Sequence, residues 1–220
     1  MIIQNTIEKF DTMYPAGAYL ITPSNPMVAK NTKWFALYGY SFGDSKIKIG
    51  KKTHKLEAGQ YFSFFVEDDG FKAESEDKLM LIVKLGYKPQ QNIGWVEEKG
   101  RLTYIDGCSD SLLIYPPRMG DPSLNLLYFP PGIDQTAHTH PSIRLGCVIN
   151  GSGFADVWKD GVLTTVELVQ GKMFCLEEHE LHRFRTSSNT PMTIIAWHPD
   201  GDWGPTDHNH TMLNRTYINK

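Results

Sequence analysis

The sequence predicts an all-β protein with few helices, built as two barrels. Short apolar or alternating runs recur along the whole chain, and Gly, Asp, Asn and Pro residues separate them, which is typical of strands and turns in sandwiches and barrels. An internal repeat divides the 220 residues into two halves, each close to the size of a small domain. Hydrophobic residues make up 40% and charged residues 21% of the chain, which is ordinary for a globular protein.

Each predicted strand is a short run of apolar and β-branched residues that ends at a turn residue. The first half has four such runs, at residues 34–40, 46–50, 61–66 and 79–85. The second half has six, at residues 124–129, 143–149, 154–158, 162–168, 173–176 and 192–197. Residues 7–13 are predicted to form one short N-terminal helix.

The repeat is visible in the spacing of glycines. Gly39 and Gly59 are twenty residues apart, and so are Gly151 and Gly171. Residues 56–62 and 168–174 share a pattern of apolar residues around the second glycine of each pair. A repeat of this length predicts two copies of one barrel rather than a solenoid, which needs more and shorter units. The polar stretch 88–92 marks the predicted boundary, so that the domains are 1–92 and 93–220, the second with a C-terminal loop extension.

Charge and targeting signals exclude several classes of function. The net charge is -3 and no basic cluster is present, so we expect no nucleic-acid partner. No run of about 18 apolar residues predicts a membrane-spanning helix. The first residues do not have the pattern of a signal peptide, and we expect a cytoplasmic protein. Cys108, Cys147 and Cys175 are interpreted as small buried hydrophobic residues in a reducing compartment.

Seven of the eight histidines lie beyond residue 137. His138 and His140 are two residues apart on a predicted strand, so their side chains share one face, where two imidazoles can bind one metal ion. A third ligand must come from another strand, and His182 is the best candidate. It follows the glycine turn at Gly171, a strand and a second turn near residues 177–180.

These residues resemble the two sequence motifs of the cupin superfamily. The first motif is Gly, five residues, His-x-His, three or four residues, Glu, six residues, Gly; Gly132, His138, His140 and Gly151 match it. The second is Gly, five residues, Pro, x, Gly, two residues, His. Gly171 and His182 match it, whereas Glu177 and His179 replace the Pro and the inner Gly. The resemblance implies that both halves are jelly-roll barrels of the double-stranded β-helix type.

One departure from the motif changes the expected ligand set. Arg144 occupies the position of the family's glutamate ligand, and a guanidinium cannot coordinate a cation. The resemblance therefore implies a three-histidine site, as in some cupin-type iron dioxygenases that act on thiols, diketones or aromatic acids. Arg144 shares strand parity with His138 and His140 and should face the cavity, where it would bind a substrate carboxylate bidentately. Pairing with a buried carboxylate, Asp134 or Glu177, remains an open alternative.

Other residues have weaker assignments. In the first half, the positions that match the three histidines and Arg144 are Pro26, Val28, Gly70 and Thr32, none of which replaces an imidazole. We therefore expect the first barrel to have no metal site of this type and a structural role. Four aromatic residues are candidates for the pocket wall or the plain core, namely Tyr128, Phe174, Phe184 and Trp197. The segment around His208 and His210 is interpreted as a loop lid or a dimer contact.

The leading hypothesis is a mononuclear Fe(II) dioxygenase that acts on a small carboxylate-bearing substrate. His138, His140 and His182 would hold one divalent metal ion, with Arg144 and Tyr128 as catalytic residues. Iron is favoured, and zinc, manganese or nickel is possible, because imidazole ligands do not fix the metal. A Lewis-acid isomerase or lyase of a sugar acid or keto acid is the alternative, with Tyr128, Glu177 or His179 as its base.

A third hypothesis is a small-molecule binding module without catalysis. The fold hosts many functions and cannot decide among the three. The expected partner is an anionic small molecule, and the protein is expected to be a monomer or a homodimer.

Overall fold

The computed structural model describes residues 1–30, 34–67, 70–201, 204–213 and 216–217. Within these ranges the chain forms nineteen strands and one 3-10 turn, with no α-helix, which confirms the prediction of an all-β fold. The predicted helix at residues 7–13 is wrong. Thr6–Lys9 is a strand, in which Ile7 is buried and its neighbours Thr6 and Glu8 are exposed, so the local pattern has the period of two that belongs to a strand.

The first half contains two antiparallel sheets that face each other. Its strands are β1 (Ile2–Ile3), β2 (Thr6–Lys9), β3 (Ala16–Ile21), β4 (Met27–Ala29), β5 (Phe35–Ser41), β6 (Ser45–Ile49), β7 (Lys52–Leu56), β8 (Gln60–Val66), β9 (Phe71–Ser75), β10 (Leu79–Leu85) and β11 (Asn92–Trp95). The larger sheet has the order β11-β8-β5-β10-β3-β2, and the smaller one the order β4-β9-β6-β7.

The second half is organised around one very long strand. Its strands are β12 (Leu102–Thr103), β13 (Ser109–Ile114), β14 (Ser123–Phe129), β15 (Arg144–Lys159), β16 (Val162–Val169), β17 (Met173–Leu176), β18 (Leu181–Arg185) and β19 (Met192–His198). A 3-10 turn, Ile105–Gly107, precedes β13. The main sheet has the order β1-β17-β15-β19-β14-β13-β12, and β16 and β18 also pair with β15.

Strand β15 turns a corner between two sheets. Its first part pairs with β17 and β19, whereas residues 152–159 pair with β16, and residues 154–158 also with β18. The two strands predicted at 143–149 and 154–158 are thus one bent strand. The bend lies at Gly151, which has φ +72° and whose Cβ, if present, would lie 1.9 Å from the carbonyl oxygen of Pro191. Only glycine satisfies both constraints, which explains this position of the motif.

The internal repeat is present in the strand order. The first half has the order β8-β5-β10-β3-β2 and the second the order β17-β15-β19-β14-β13, so each strand has a counterpart at the same place in its sheet. The edge strands cross the predicted boundary at residue 92. Strand β11 pairs with β8 of the first half, and β1, at the start of the chain, pairs with β17 of the second half.

The two halves share a hydrophobic core. Tyr38 from the first half and Trp197 from the second have ring centroids 6.0 Å apart, and both side chains are fully buried. Apolar residues from β3, β5 and β10 pack in the same cluster as residues from β14, β15 and β19. The interior of the first half is filled by a second apolar cluster that includes Phe62, Phe64 and Phe71. None of the described residues belongs to a helix long and apolar enough to cross a membrane.

Candidate metal centre

The three predicted metal ligands lie on two neighbouring backbone segments. The extended segment that carries His138 runs antiparallel to β18, which carries His182. The amide of His138 donates to the carbonyl oxygen of His182 over 2.9 Å, and the amide of His182 donates to the carbonyl oxygen of His138 over 3.0 Å. His140 follows on the same extended segment. The second half therefore brings the two ligand motifs side by side through backbone hydrogen bonds.

The imidazoles of His138, His140 and His182 converge on one point. One ring nitrogen from each lies within 4.8 Å of the others, and the ring centroids are 4.5 to 5.1 Å apart. The Nδ1 of His138 is 2.9 Å from the carbonyl oxygen of Thr136, and the Nδ1 of His182 is 2.8 Å from that of Glu180. These carbonyls accept a hydrogen bond from the protonated Nδ1, which leaves Nε2 as the atom with a free lone pair.

The protonation states of these rings suit a cation. Burial lowers the pKa of His140 to about 3, with Arg144 and the neighbouring histidines adding to the effect. Burial also lowers the pKa of His182 to about 4. The side chain of His182 is fully buried, and its Nε2 has no hydrogen-bond partner among the described residues. Three converging imidazole nitrogens, one of them buried and otherwise unsatisfied, fit a divalent metal ion.

His138 and His140 line a cavity of about 240 Å³, and the fully buried His182 lies beside them outside its lining. Water in the liquid occupies about 30 Å³ per molecule, so this volume suits a small ligand. One part of the wall is apolar and is formed by Leu127, Phe129, Phe174, Leu176, Phe184, Ile194 and Ala196. The polar part, besides His138 and His140, is formed by Tyr104, Asp110, Asn125, Arg144 and His198.

Arg144 lies in the cavity wall, where its predicted strand parity places it. Its side chain is buried, and Nη1 donates to the carbonyl oxygens of Ser142 (3.0 Å) and Ile143 (3.1 Å) and to the Ser142 hydroxyl (2.6 Å). The Ser142 hydroxyl donates to Asp200, which also accepts a hydrogen bond of 2.8 Å from the hydroxyl of Tyr14. A residue of the first half is thus connected to the cavity through three hydrogen bonds.

The two carboxylates considered as structural partners of Arg144 are paired elsewhere. Asp134 contacts Arg183 over 2.8 Å, and Glu177 contacts Lys9 over 2.6 Å. These contacts favour the interpretation that Arg144 serves the cavity rather than one of these two carboxylates.

Tyr128 requires a correction, because it does not line the cavity. Asn125, Leu127 and Phe129 of the same strand do so, and Tyr128 has the opposite parity. The ammonium of Lys99 lies 5.6 Å from the centre of its ring. The physical reason for the error is that an aromatic residue next to apolar neighbours fits either face of a strand.

The remaining sequence candidates divide between the cavity and other places. Phe174 and Phe184 line the cavity, whereas Trp197 belongs to the core between the two halves. His179 is an exposed turn residue with φ 56°, and its ring lies 3.5 Å from Glu178. Thr32, named as a counterpart of Arg144, lies outside the described residues.

Sequence reasoning missed four polar residues of the cavity. Burial raises the pKa of Asp110, opposed by its hydrogen bond from Asn125, and burial raises the pKa of Tyr104 to about 12. Burial lowers the pKa of His198, with Arg144 and His140 adding to the effect. Parity with Leu127 and Phe129 could have found Asn125. Tyr104 and Asp110 lie before the motifs, in a region without a recognisable pattern.

Comparisons with known proteins find similarity in structure only. No protein-family model matches the sequence, and no curated protein matches it. A putative glyoxylate-induced protein from Pseudomonas aeruginosa is similar with a TM-score of 0.63 and 14% identity, over 93% of this chain and 83% of that chain. A cupin 2 conserved barrel domain protein from Leptotrichia buccalis is similar with a TM-score of 0.58 and 14% identity, over 89% of this chain and 88% of that chain. The chain has the cupin fold.

A third similar structure is the oxalate decarboxylase of Bacillus subtilis, which is described with Mn(II) centres. The TM-score is 0.54 at 12% identity, over 93% of this chain and 79% of that chain. At such identities the likeness extends to the cupin fold alone. The site of this chain must therefore be interpreted from its own residues.

Proposed function

We propose that this cupin is a metal-dependent enzyme, and specifically a mononuclear Fe(II) dioxygenase that acts on a small carboxylate-bearing substrate. One observation carries the proposal: three histidine nitrogens converge at a small cavity that is lined by His138, His140 and Arg144. Three protein ligands leave coordination positions open, as catalytic sites require. Iron(II) held by such ligands supplies the electrons that activate dioxygen.

The protein groups around the ligands have separate tasks in this proposal. Arg144 binds the substrate carboxylate and orients the substrate, because a guanidinium offers several donors in a planar fork. The aromatic wall formed by Phe129, Phe174 and Phe184 excludes water and strengthens the electrostatic contacts inside the cavity. Cupin-fold structures whose titles name Mn(II) centres or a dioxygenase support the view that this fold accommodates metal chemistry.

The test is oxygen consumption by protein loaded with Fe(II) under anaerobic conditions and then mixed with aerated carboxylate substrates. We expect uptake that depends on one of the carboxylates and is absent in His182→Gln. The control is Tyr128→Phe, which changes a side chain outside the cavity and should keep the activity. Absence of substrate-dependent oxygen uptake across a broad panel of carboxylates would contradict the dioxygenase assignment.

Asp110 favours a second candidate, a metal-dependent isomerase or lyase of a sugar acid or keto acid. The bases considered from the sequence, Tyr128, Glu177 and His179, do not line the cavity, but the carboxyl of Asp110 does. Burial raises its pKa, which is the direction that suits a general base or acid. Turnover under nitrogen with zinc, manganese or nickel would support this candidate. Ligand binding without turnover under either condition would leave a binding module.

A further inference from the structure

The polar groups of the cavity divide into a donor side and an acceptor side. Arg144 presents a guanidinium, which only donates hydrogen bonds. Asp110 and Asn125 lie next to each other on the neighbouring strands β13 and β14 and present a carboxyl group and an amide. A ligand that satisfies both sides must carry acceptors where it meets Arg144 and a donor where it meets Asp110.

The carboxyl of Asp110 is held in place by Asn125. The Nδ2 of Asn125 donates to both carboxyl oxygens, over 3.2 Å and 3.0 Å. Asn125 is only 7% exposed, and its Oδ1 has no hydrogen-bond partner among the described residues. Asp110 is therefore the one described side chain that the Asn125 amide binds. A carboxylate has about four lone-pair sites, so Asp110 keeps acceptor capacity for a ligand.

Asp110 and Arg144 line the cavity from separate strands of one sheet. The strand order β15-β19-β14-β13 places two strands between them. Tyr104 is near both charges, because Asp110 adds to the rise of its pKa and Arg144 opposes it. His138 and His140 lie on the extended segment that runs beside β18, and His182 lies on β18 itself, in the other sheet. A ligand in the cavity therefore meets a positive group, a negative group and the metal ligands on three sides.

We propose that Asp110, oriented by Asn125, is a specificity-determining residue that binds a hydroxyl or amino group of a substrate whose carboxylate is bound by Arg144. The substrate class is thus a small hydroxy acid or amino acid, and this inference rests on the carboxylate substrate of the proposed function. A simple carboxylic acid would desolvate Asp110 without giving it a partner, which is unfavourable. A dicarboxylic acid would place a second negative charge beside Asp110, which selects against that class.

The test measures by calorimetry the affinity of small acids for the purified protein, which is used with whatever metal it carries. Two series of probes are compared, the first with butyrate, γ-hydroxybutyrate, γ-aminobutyrate and succinate, the second with benzoate and its meta-hydroxy and meta-amino derivatives. We expect the hydroxyl or amino member to bind about tenfold more tightly than the parent acid, since a hydrogen bond to a charged group contributes at least that much. Succinate should bind more weakly than butyrate.

The variants separate this role from others. Asp110→Asn should remove the preference for the amino probe and the rejection of succinate, without weakening the binding of butyrate. Tyr128→Phe, on the strand next to Asp110 but outside the cavity, should keep the wild-type order. If Asp110→Asn does not fold, the order of the probes in the wild type still decides the proposal. Equal affinities within each series, or no binding in either series, would overturn it.

Failure of the proposed enzyme would be visible separately. Protein that holds no metal and consumes no oxygen, but still prefers the donor-bearing probes through Asp110, would refute the dioxygenase and retain this inference. Protein that binds metal and consumes oxygen with a plain carboxylic acid, at a rate that Asp110→Asn does not change, would support the dioxygenase and refute this inference.

Discussion

At the residue scale, the candidate site depends on imidazole rings that are oriented by hydrogen bonds and affected by burial. Backbone carbonyls fix the Nδ1 atoms of His138 and His182, and burial disfavours the protonated rings of His140 and His182. The positive charge of Arg144 acts in the same direction on both. The same arginine would also weaken the binding of a cation, and a bound substrate carboxylate would offset its charge.

Arg144 gives the first prediction. Arg144→Gln should lower the affinity for butyrate or benzoate by about 10- to 100-fold, because charge-assisted hydrogen bonds contribute about 1.5–3 kcal/mol. Arg144→Lys keeps the charge but not the planar fork and should recover part of the affinity. Calorimetry measures the affinities, and metal content serves as the control, since loss of a nearby positive charge should not release a cation. Unchanged anion affinity in Arg144→Gln would show that the arginine is structural.

The motifs predicted the residues that have a recognisable spacing. His138, His140 and His182 were found because cupin motifs fix their distance from glycine turns, and Arg144 because it replaces a known ligand position. Asp110 and Tyr104 were not found, since they enter the cavity from the other edge of the sheet and only tertiary pairing brings them there. Tyr128 was placed in the cavity wrongly because a tyrosine in an apolar strand gives no sign of its direction.

At the scale of the element, strand β18 is fixed by ionic contacts on its outer side. Asp156 of β15 is 1% exposed and accepts hydrogen bonds from Arg183 (2.9 Å) and Arg185 (2.7 and 2.9 Å), which flank His182 by one and three residues. Thr165 of β16 donates to the same carboxylate over 2.7 Å. Because neighbouring residues of a strand face opposite sides, these contacts hold β18 while His182 faces His138 and His140.

Asp156 gives the second prediction. Asp156→Asn should reduce the free energy of unfolding by about 3 kcal/mol, because it removes the buried carboxylate that pairs with the partly buried Arg185 and, together with Asp134, with Arg183. The control is Glu74→Gln, which removes an exposed ion pair with Lys72 and should cost at most about 1 kcal/mol. Urea denaturation measures both. Equal, small effects would show that the Asp156 contacts do not hold the strand.

Asp156 also predicts a pH dependence. Its hydrogen bonds with Arg185, Thr165 and Arg183 hold the pKa of its carboxyl well below the ordinary value. A carboxyl with a lowered pKa in the folded state stabilises the protein at pH values above about 3.9, its unfolded value, and this contribution is lost as the pH falls further. The wild type should therefore lose more stability than Asp156→Asn between about pH 4 and pH 2.

The presence of strands was easier to predict from the sequence than the sheet face on which a side chain lies or the continuity of a strand. Alternating apolar residues identified most of the strands, but β15 was read as two strands because Gly151 interrupts the pattern at the corner. Strand β2 was taken for a helix because only one residue of the run, Ile7, is buried on its inner face. A single apolar residue between polar ones does not separate a period of two from one of 3.6.

At the scale of the whole molecule, the half without metal ligands contributes to the site through packing and one hydrogen-bond chain. Its sheet shares a core with the second half, and Tyr14 is linked through Asp200 and Ser142 to Arg144. The sequence indicated the repeat and the missing ligands in the first half. It could not indicate the chain of contacts, because Tyr14 and Asp200 are far in sequence from each other and from Ser142 and Arg144.

The Tyr14 chain gives the third prediction. Tyr14→Phe removes one hydrogen bond to Asp200 and should lower the affinity for butyrate by up to about tenfold, because Asp200 and Ser142 then orient Arg144 less well. The affinity for the uncharged analogue butyramide should not change, which separates orientation of the arginine from a general loss of structure. The matched control is Tyr19→Phe, which removes a similar hydrogen bond to Glu8 on the surface. Equal affinities in both variants would refute the link.

The most direct test of the account is the metal content of protein purified without a histidine tag. We expect about one equivalent of a divalent metal in the wild type and in His179→Ala, whose ring is exposed and outside the site. His138→Ala and His182→Ala should lose it, because each removes one of three converging nitrogens. Iron in the wild type would agree with the proposed dioxygenase. No metal in the wild type, with none taken up from excess, or full retention in both ligand variants, would contradict the three-histidine centre.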